Sequence, residues 1–515
     1  MAKKKAKSTG KKRRTTKSTK ATRPARKKAS KPAKKSAYSS TDNKLSVEIT
    51  LAPPAGSNIL TPFSSIVRPT ARNASQFHAD SSQIDRALGA LTKLGFDVLA
   101  VSSTSISVEC TSQQFTEVFG TQLESSKMDT STQATASAET FLAPAKDAVW
   151  APPIVLEGLV ERAYIQPPFL YFENPFPPSV DYHHIRVPGD LAFLTNAARV
   201  HREGITGKGV RVAMIDSGFY IQHPYYEGMG YNMSRMLGPG ASNVEHDENG
   251  HGTAEAANIL AIAPDITFIG VKTGNSLAAS FKKTVELNPD IISISLGWDL
   301  RGADGLPLPS LPGFLSSLET EIADAVASGI TVCISSGNGH IGFPGMHPDI
   351  VSAGGAYLDE NMAVQASDYS SAFKSAIYPG RNVPDLSGLV GLKPHADYIM
   401  LPLEPGCSID SDGSAHDGTN NNDGWAVISG TSAAAPQLAG VCALLKQQNP
   451  GLTPSDIRGV LKLTARDVQA GHANEVSNPV KIGGVLQHKE IFASSGPDGA
   501  TGHGLVDAFA AWKQV

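Results

Sequence analysis
Ser432 lies in the run Ser429-Gly430-Thr431-Ser432-Ala433-Ala434-Ala435-Pro436. Small residues on both sides let the backbone turn sharply and present a hydroxyl to a cleft. The Ala-rich stretch beyond starts a helix that continues through Leu438, Val441, Leu444 and Leu445. A Ser placed there stands at the positive end of a helix, and Pro436 is expected within the first turn, where its missing N–H has no intrahelical partner to lose. A hydroxyl attacks a carbonyl only if a neighbouring imidazole takes its proton. His251 supplies such a ring, in Asn249-Gly250-His251-Gly252-Thr253, with a helix through Ala254 to Leu260 behind it. Asp216 ends the apolar run Val212-Ala213-Met214-Ile215, and a carboxylate can hold an imidazole in one tautomer and stabilise its cation. Asn338, in Ser335-Ser336-Gly337-Asn338-Gly339, carries an amide that could donate to a developing oxyanion.

Taken together, Asp216-Ser-Gly, His251-Gly-Thr and Gly-Thr-Ser432-small-Ala-small-Pro resemble the motifs of the subtilisin-like serine proteases, in their Asp…His…Ser chain order. The resemblance implies that Ser432 is the nucleophile, His251 the general base and then acid, Asp216 the orienting carboxylate and Asn338 the oxyanion donor. It also implies that Ser295-Leu296-Gly297 and Ser336-Gly337 pair with an extended substrate and wall its P1 pocket. Gly502-His503-Gly504-Leu505-Val506-Asp507-Ala508 resembles the closing segment of that family, so the resemblance spans about residues 190 to 513.

Other segments are similar to the sedolisins: Ala263-Pro264, Ile292-Ser293-Ile294-Ser295, Ser335-Ser336-Gly337, Phe343-Pro344 and Val383-Pro384-Asp385-Leu386-Ser387. Sedolisins place a Glu at the His position and an Asp at the oxyanion Asn position, whereas here both keep the subtilisin type. Glu255 lies four residues beyond His251, on the same side of one helix. A free imidazole titrates at about 6.5, which suits near-neutral work, and leaves Glu255 a supporting or merely polar residue.

These groups need a scaffold that gathers strand ends. Val210 to Ile215, Ile266 to Val271, Ile291 to Leu296 and Ile330 to Ser335 are nearly continuous apolar runs, as in parallel strands buried on both faces. Helical patterns at Ser276 to Leu287 and Phe314 to Ser328 alternate with them. The expected fold is α/β, a doubly wound, mainly parallel sheet over residues 183–515, with the crevice beyond the carboxyl ends of its strands. Residues 44–165 read as a small α+β unit: a strand at Leu45 to Leu51, a helix at Ser82 to Leu94, strands at Phe96 to Val101 and Ser105 to Cys110, a helix at Ser112 to Phe119, and a closing segment from Ile154 to Ile165. The β-α-β-β-α-β order suggests a ferredoxin-like domain. Its wording around Leu94-Gly95-Phe96-Asp97-Val98 and Phe115-Thr116-Glu117-Val118-Phe119-Gly120 resembles the sedolisin propeptide, which implies a folding template and inhibitor. Residues 166–182, rich in Pro and aromatics, read as an extended linker open to cleavage.

Residues 1–36 hold 17 Lys or Arg and no Asp or Glu, so residues 1–43 are expected to stay disordered. The rest of the chain then carries 28 basic against 48 acidic residues, a formal net charge of −20. The tail is read either as a nucleic-acid contact that neutralises phosphates or as a solvated tail or tether to the acidic body. No apolar segment follows it as in a signal peptide, and no stretch reaches membrane-spanning length. Cys110, Cys333, Cys407 and Cys442 are widely spaced and read as reduced thiols of an intracellular, cytoplasmic protein. No cofactor is required and no metal ligands are assigned. An Asp-, Gly- and Asn-rich loop from Asp410 to Gly424 could hold Ca²⁺, but its spacing matches no full motif and it reads as a surface insert. The expected function is a serine endopeptidase acting on proteins or peptides, made as a zymogen. The alternatives are a silent protease-like scaffold bound to nucleic acid or protein, and a sedolisin-type acid peptidase.

Overall fold
The computed structural model describes residues 44–53, 67–129, 138–171, 183–302, 304–393, 396–413, 420–474, 480–482, 485–487 and 489–515. The Lys/Arg-rich run of residues 1–36 and most of the linker, residues 172–182, lie outside them.

The N-terminal unit contains β1 (Lys44–Leu51), α1 (Ser81–Lys93), β2 (Asp97–Val101), β3 (Ser105–Thr111), α2 (Ser112–Phe119) and β4 (Val160–Ile165). Its four strands form one antiparallel sheet in the order β2-β3-β1-β4. Asp80 and Thr111 cap the two helices by accepting the backbone N–H groups of Gln83 and Gln114. A hairpin of Leu123–Asp129 and Ala138–Pro144 precedes β4, and neither strand has an alternation strong enough to announce it.

β1 alternates apolar and polar residues, a pattern that ordinarily marks one dry and one wet face. Here both faces are buried. Val47, Ile49 and Leu51 join Leu91, Phe115 and Phe119 in the core beneath α1 and α2. Glu48 on the other face meets two helices of the large unit, α4 (Leu277–Val285) and α5 (Ser316–Ala327), introduced below. Lys282 Nζ pairs with Glu48 and donates to Ser105 Oγ at 2.7 Å and Ser107 Oγ at 3.0 Å, while Ser317 Oγ donates to Glu48 at 2.9 Å. Lys282 and Glu48 are both buried, so removing either partner alone would strand a charge at a cost of about 3–5 kcal/mol.

The large unit is built on a sheet of eight strands. In chain order its elements are β5 (Arg211–Asp216), β6 (Met233–Leu237), α3 (His251–Ile262), β7 (Thr267–Lys272), α4 (Leu277–Val285), β8 (Ile291–Ile294), β9 (Leu296–Asp299), α5 (Ser316–Ala327), β10 (Thr331–Ser335), β11 (Val351–Leu358), β12 (Val364–Ala366), β13 (Leu386–Leu389) and α6 (Thr431–Gln448). The strand order is β6-β7-β5-β8-β10-β11-β12, with β13 also paired to β11. All of these pairs are parallel except β11 with β12. β9 stands outside the sheet. Val212, Ile291, Ile259, Leu438 and Leu444 contribute to one core, where α3 and α6 lie, and Ala213, Ile292, Phe281 and Ile322 to the other, where α4 and α5 lie. The apolar strand runs are therefore dry on both faces, as their composition demands.

Two details differ from the expectations. Pro436 is the sixth residue of α6, in its second turn rather than its first. The Asp-rich stretch is not wholly a loop, because Ser408–Gly413 is helical and Asp410 is buried, accepting the Gly406 N–H at 2.7 Å. Among the described residues no group of His, Cys, Asp or Glu is arranged to hold a metal ion, and no helix is long and apolar enough to cross a membrane.

Candidate active site
Asp216 is the last residue of β5, and His251 is the first of α3. Their side chains meet with Nδ1 of His251 2.6 Å from Oδ1 of Asp216, and neither is exposed. That carboxylate oxygen also accepts the Ser217 N–H at 2.7 Å. The close approach depends on the glycines around the ring. Gly250 has φ +99°, and a Cβ there would come 2.5 Å from Cys407 Sγ. A Cβ on Gly252 would run into the Gly218 carbonyl and lie 2.8 Å from Asp216 Cβ.

A residue that sequence reasoning missed holds this corner together. Asp247 is fully buried and bridges the turn after β5 to the start of α3. Its Oδ1 accepts Ser217 Oγ at 2.8 Å and the Gly250 N–H at 2.9 Å. Its Oδ2 accepts the Thr253 N–H at 2.8 Å and Thr253 Oγ1 at 2.6 Å. Ser217 Oγ in turn accepts the Gly252 N–H at 2.9 Å. Burial pushes the Asp247 carboxyl above its ordinary range, against the pull of these donors. The available signal was an acidic residue four positions ahead of His251.

Ser432 is the second residue of α6 and is buried. The turn before it is fixed by Ser429, whose Oγ accepts the Gly391 N–H at 2.8 Å and donates to the Ala396 carbonyl at 2.5 Å. Pro436 has no N–H to give the carbonyl four residues earlier, that of Ser432. Ser295 supplies the missing donor: its Oγ reaches the Ser432 carbonyl at 3.0 Å. The side chain of Ser295 is thus turned to the Ser432 backbone.

Asn338 follows β10 by three residues. Its Oδ1 accepts the Thr431 N–H at 2.9 Å and Thr431 Oγ1 at 3.0 Å, so the amide is oriented with its NH₂ as the remaining donor end. Thr431 Oγ1 accepts the Gly337 N–H at 3.1 Å, and Ser336 N–H bonds the Ala353 carbonyl at 2.8 Å. Asn338, Gly337 and the start of α6 are therefore one hydrogen-bonded block. Leu296 and Gly297 pair antiparallel with Tyr171 and Leu170, which belong to the linker.

α3 and α6 pack on one another and share a buried polar chain. Glu255 Oε2 accepts Asn258 Nδ2 at 2.9 Å, Asn258 Oδ1 accepts Gln437 Nε2 at 3.2 Å, and Gln437 Oε1 accepts the Leu389 N–H at 2.7 Å. Glu255 is thus linked through Asn258 to the helix that carries Ser432.

A model of the subtilase family matches residues 207–483, more than half of the chain, and the chain belongs to that family. Serine protease AprX of Bacillus subtilis (strain 168) is 32% identical over 304 residues, covering 52% of this chain and 64% of AprX. Subtilisin Savinase of Lederbergia lenta is 29% identical over 276 residues, covering 52% of this chain and 88% of Savinase. The chain thus spans less than two thirds of the length of AprX. Fervidolysin from Fervidobacterium pennivorans, a keratinolytic enzyme related to subtilisin, superposes with a TM-score of 0.53 at 16% identity, over 91% of this chain and 61% of fervidolysin. That likeness shows the fold: a subtilisin-like α/β core with a mixed, mainly parallel sheet.

Proposed function
We propose that the protein is a serine endopeptidase. Ser432 is the nucleophile, His251 its general base and then the acid for the leaving amine, and Asp216 the carboxylate that holds the imidazole. The observation that carries this reading is the buried contact between Asp216 Oδ1 and His251 Nδ1 at 2.6 Å. It leaves Nε2 as the ring nitrogen to exchange a proton with the hydroxyl, and it favours the imidazolium formed during attack. Asn338 donates to the oxyanion through Nδ2, an assignment supported by the engagement of its Oδ1 with Thr431. Acylation forms the bond from Ser432 Oγ to the substrate carbonyl carbon and breaks the peptide C–N bond. The proton taken by His251 leaves with the amine, and water then hydrolyses the ester by the same proton route. Leu296 and Gly297 receive the substrate's extended backbone, together with Ser336 and Gly337.

The N-terminal unit acts as a ferredoxin-like propeptide and the chain as a zymogen. Two observations favour this: the buried Glu48–Lys282 contact, and the pairing of Leu170–Tyr171 along Leu296–Gly297, the segment proposed here to receive a substrate strand. Residues 1–36 supply any affinity for nucleic acid, by their charge alone. A fluorophosphonate probe on the purified protein tests the central claim. Labelling at Ser432 is expected, with loss of both labelling and casein cleavage in Ser432→Ala; cleavage by pure Ser432→Ala protein would overturn the assignment.

A further inference from the structure
A cavity of about 830 Å³, a volume typical of small-molecule sites, opens beside the Val383-Pro384-Asp385 segment. Asp385 lies at its base and is 1% exposed. Three cations converge on this one carboxylate. Arg381 binds it with both terminal nitrogens, at 2.7 and 2.8 Å, Arg458 reaches it at 2.9 Å, and Lys462 Nζ at 2.7 Å. They hold the Asp385 carboxyl far below the usual range, so its charge is fixed at −1.

One carboxylate cannot neutralise three cations, and the cavity adds more of the same sign. Lys374 and Lys489 lie on its wall and are exposed. Asp498 is the other carboxylate on the wall, but its oxygens are engaged within its own turn by the N–H groups of Ser494, Ala500 and Thr501 at 2.7–2.8 Å. Arg381, Arg458, Lys462 and Lys374 thus face two carboxylates, both engaged, before Lys489 and His503 are counted. Burial and the nearby Lys462 and Arg458 hold the His503 ring below its ordinary pKa, as an unbalanced positive field would. A structural role needs only one cation on Asp385. Partly exposed Arg458 and Lys462, at 22% and 27%, instead face the cavity.

We propose that this cavity binds a small ligand bearing two or more linked phosphate groups, with Arg381, Arg458 and Lys462 at its base and Lys374 and Lys489 at its mouth. Asp385 and nearby carbonyls take three of the five N–H donors of each guanidinium, so two on each remain for phosphate oxygens, and the lysines add point charges that a lone orthophosphate is too small to meet together. An arriving anion offsets the field on His503, so binding takes up a proton there.

The test is isothermal titration calorimetry on the full chain with inorganic pyrophosphate in about 0.15 M salt, which screens exposed charges. One saturable site is expected, with affinity lowered about tenfold or more in Lys374→Glu/Lys489→Glu, both exposed positions whose change should leave the fold intact. Repeating the titration near pH 6.5 in two buffers of different ionisation enthalpy should reveal proton uptake that is reduced in His503→Gln. ADP binding at least as tightly as pyrophosphate would mark a nucleotide as the source, and weaker ADP binding an inorganic chain. Either of two results would overturn the proposal: no saturable heat, or affinity within about twofold in the double variant, which would assign the heat to the basic residues 1–36. Should the double variant fail to fold, Lys374→Gln alone, read by the same titration, decides between these outcomes.

Discussion
Replacing Asp247 by Asn changes one atom, yet the geometry around it forbids a painless exchange. Each carboxylate oxygen accepts one hydroxyl and one backbone N–H: Ser217 Oγ and Gly250 N–H at Oδ1, Thr253 Oγ1 and Thr253 N–H at Oδ2. Hydroxyls can rotate to accept instead of donate, but backbone N–H groups cannot. Whichever way the Asn amide is turned, its NH₂ faces a fixed N–H, and a buried donor is left unsatisfied. Hydrogen bonds to a charged group contribute about 1.5–3 kcal/mol, and a stranded buried donor costs about 1–3 kcal/mol, so the loss is roughly 3–5 kcal/mol. At roughly 2 °C per kcal/mol for a chain of this size, the melting temperature should fall by about 6–10 °C. Because these bonds tie the turn after Asp216 to the start of the His251 helix, kcat/KM on a peptide substrate should fall about tenfold or more with little change in KM. Differential scanning fluorimetry and initial-rate kinetics read the two effects. An Asp247→Asn protein that melts within about 1 °C of the parent, with kcat/KM within about twofold, would refute the claim that this carboxylate positions the imidazole.

Three further outcomes follow from the same geometry. Ser295→Ala removes the donor to the Ser432 carbonyl and should cost about 1–3 kcal/mol of stability; adding Pro436→Ala restores the backbone N–H, and a double variant no better than the single one would show that the Ser295 bond is dispensable. His251→Ala should lower turnover by several orders of magnitude, whereas Glu255→Gln, which can keep its bond to Asn258, should cost at most about tenfold; equal damage from both would shift the base assignment to the carboxylate. Burial raises the Glu319 carboxyl from 4.5 to about 7, offset in part by Arg68 at 3.4 Å and Tyr378 Oη at 2.7 Å. Since its pKa is raised on folding, the stability it contributes is present below 4.5 and is lost as pH climbs toward 7, by up to about 3 kcal/mol. Glu319→Gln should therefore melt close to the parent at pH 5 and above it at pH 8, and identical differences at both pH values would rule this out.

The chemistry-bearing residues were legible because each sits in a local pattern with a local cause. Glycines flank His251 because Cys407 crowds one of them and the Gly218 carbonyl and the Asp216 side chain crowd the other, and small residues lead into Ser432 because a helix starts there. The strand runs from Val210 to Ser335 were legible for a similar reason, since a parallel strand buried on both faces has to be apolar throughout. Other features were settled only when distant segments met. The alternation in β1 reads as a wet face, but α4 and α5 cover it and convert Glu48 from a surface acid into half of a buried pair with Lys282, 234 residues away. Likewise Pro436 reads as a first-turn residue, whereas it stands in the second turn, where Ser295, just after β8, donates to the carbonyl that Pro436 leaves unpaired. Asp247 and Asp385 look like loop acids in sequence. Each has some donors close in sequence, Gly250 and Thr253 for Asp247 and Arg381 for Asp385, but burial is completed by groups from elsewhere, Ser217 in the first case and Arg458 and Lys462 in the second, and no local window holds the full set that offsets taking a carboxylate out of water.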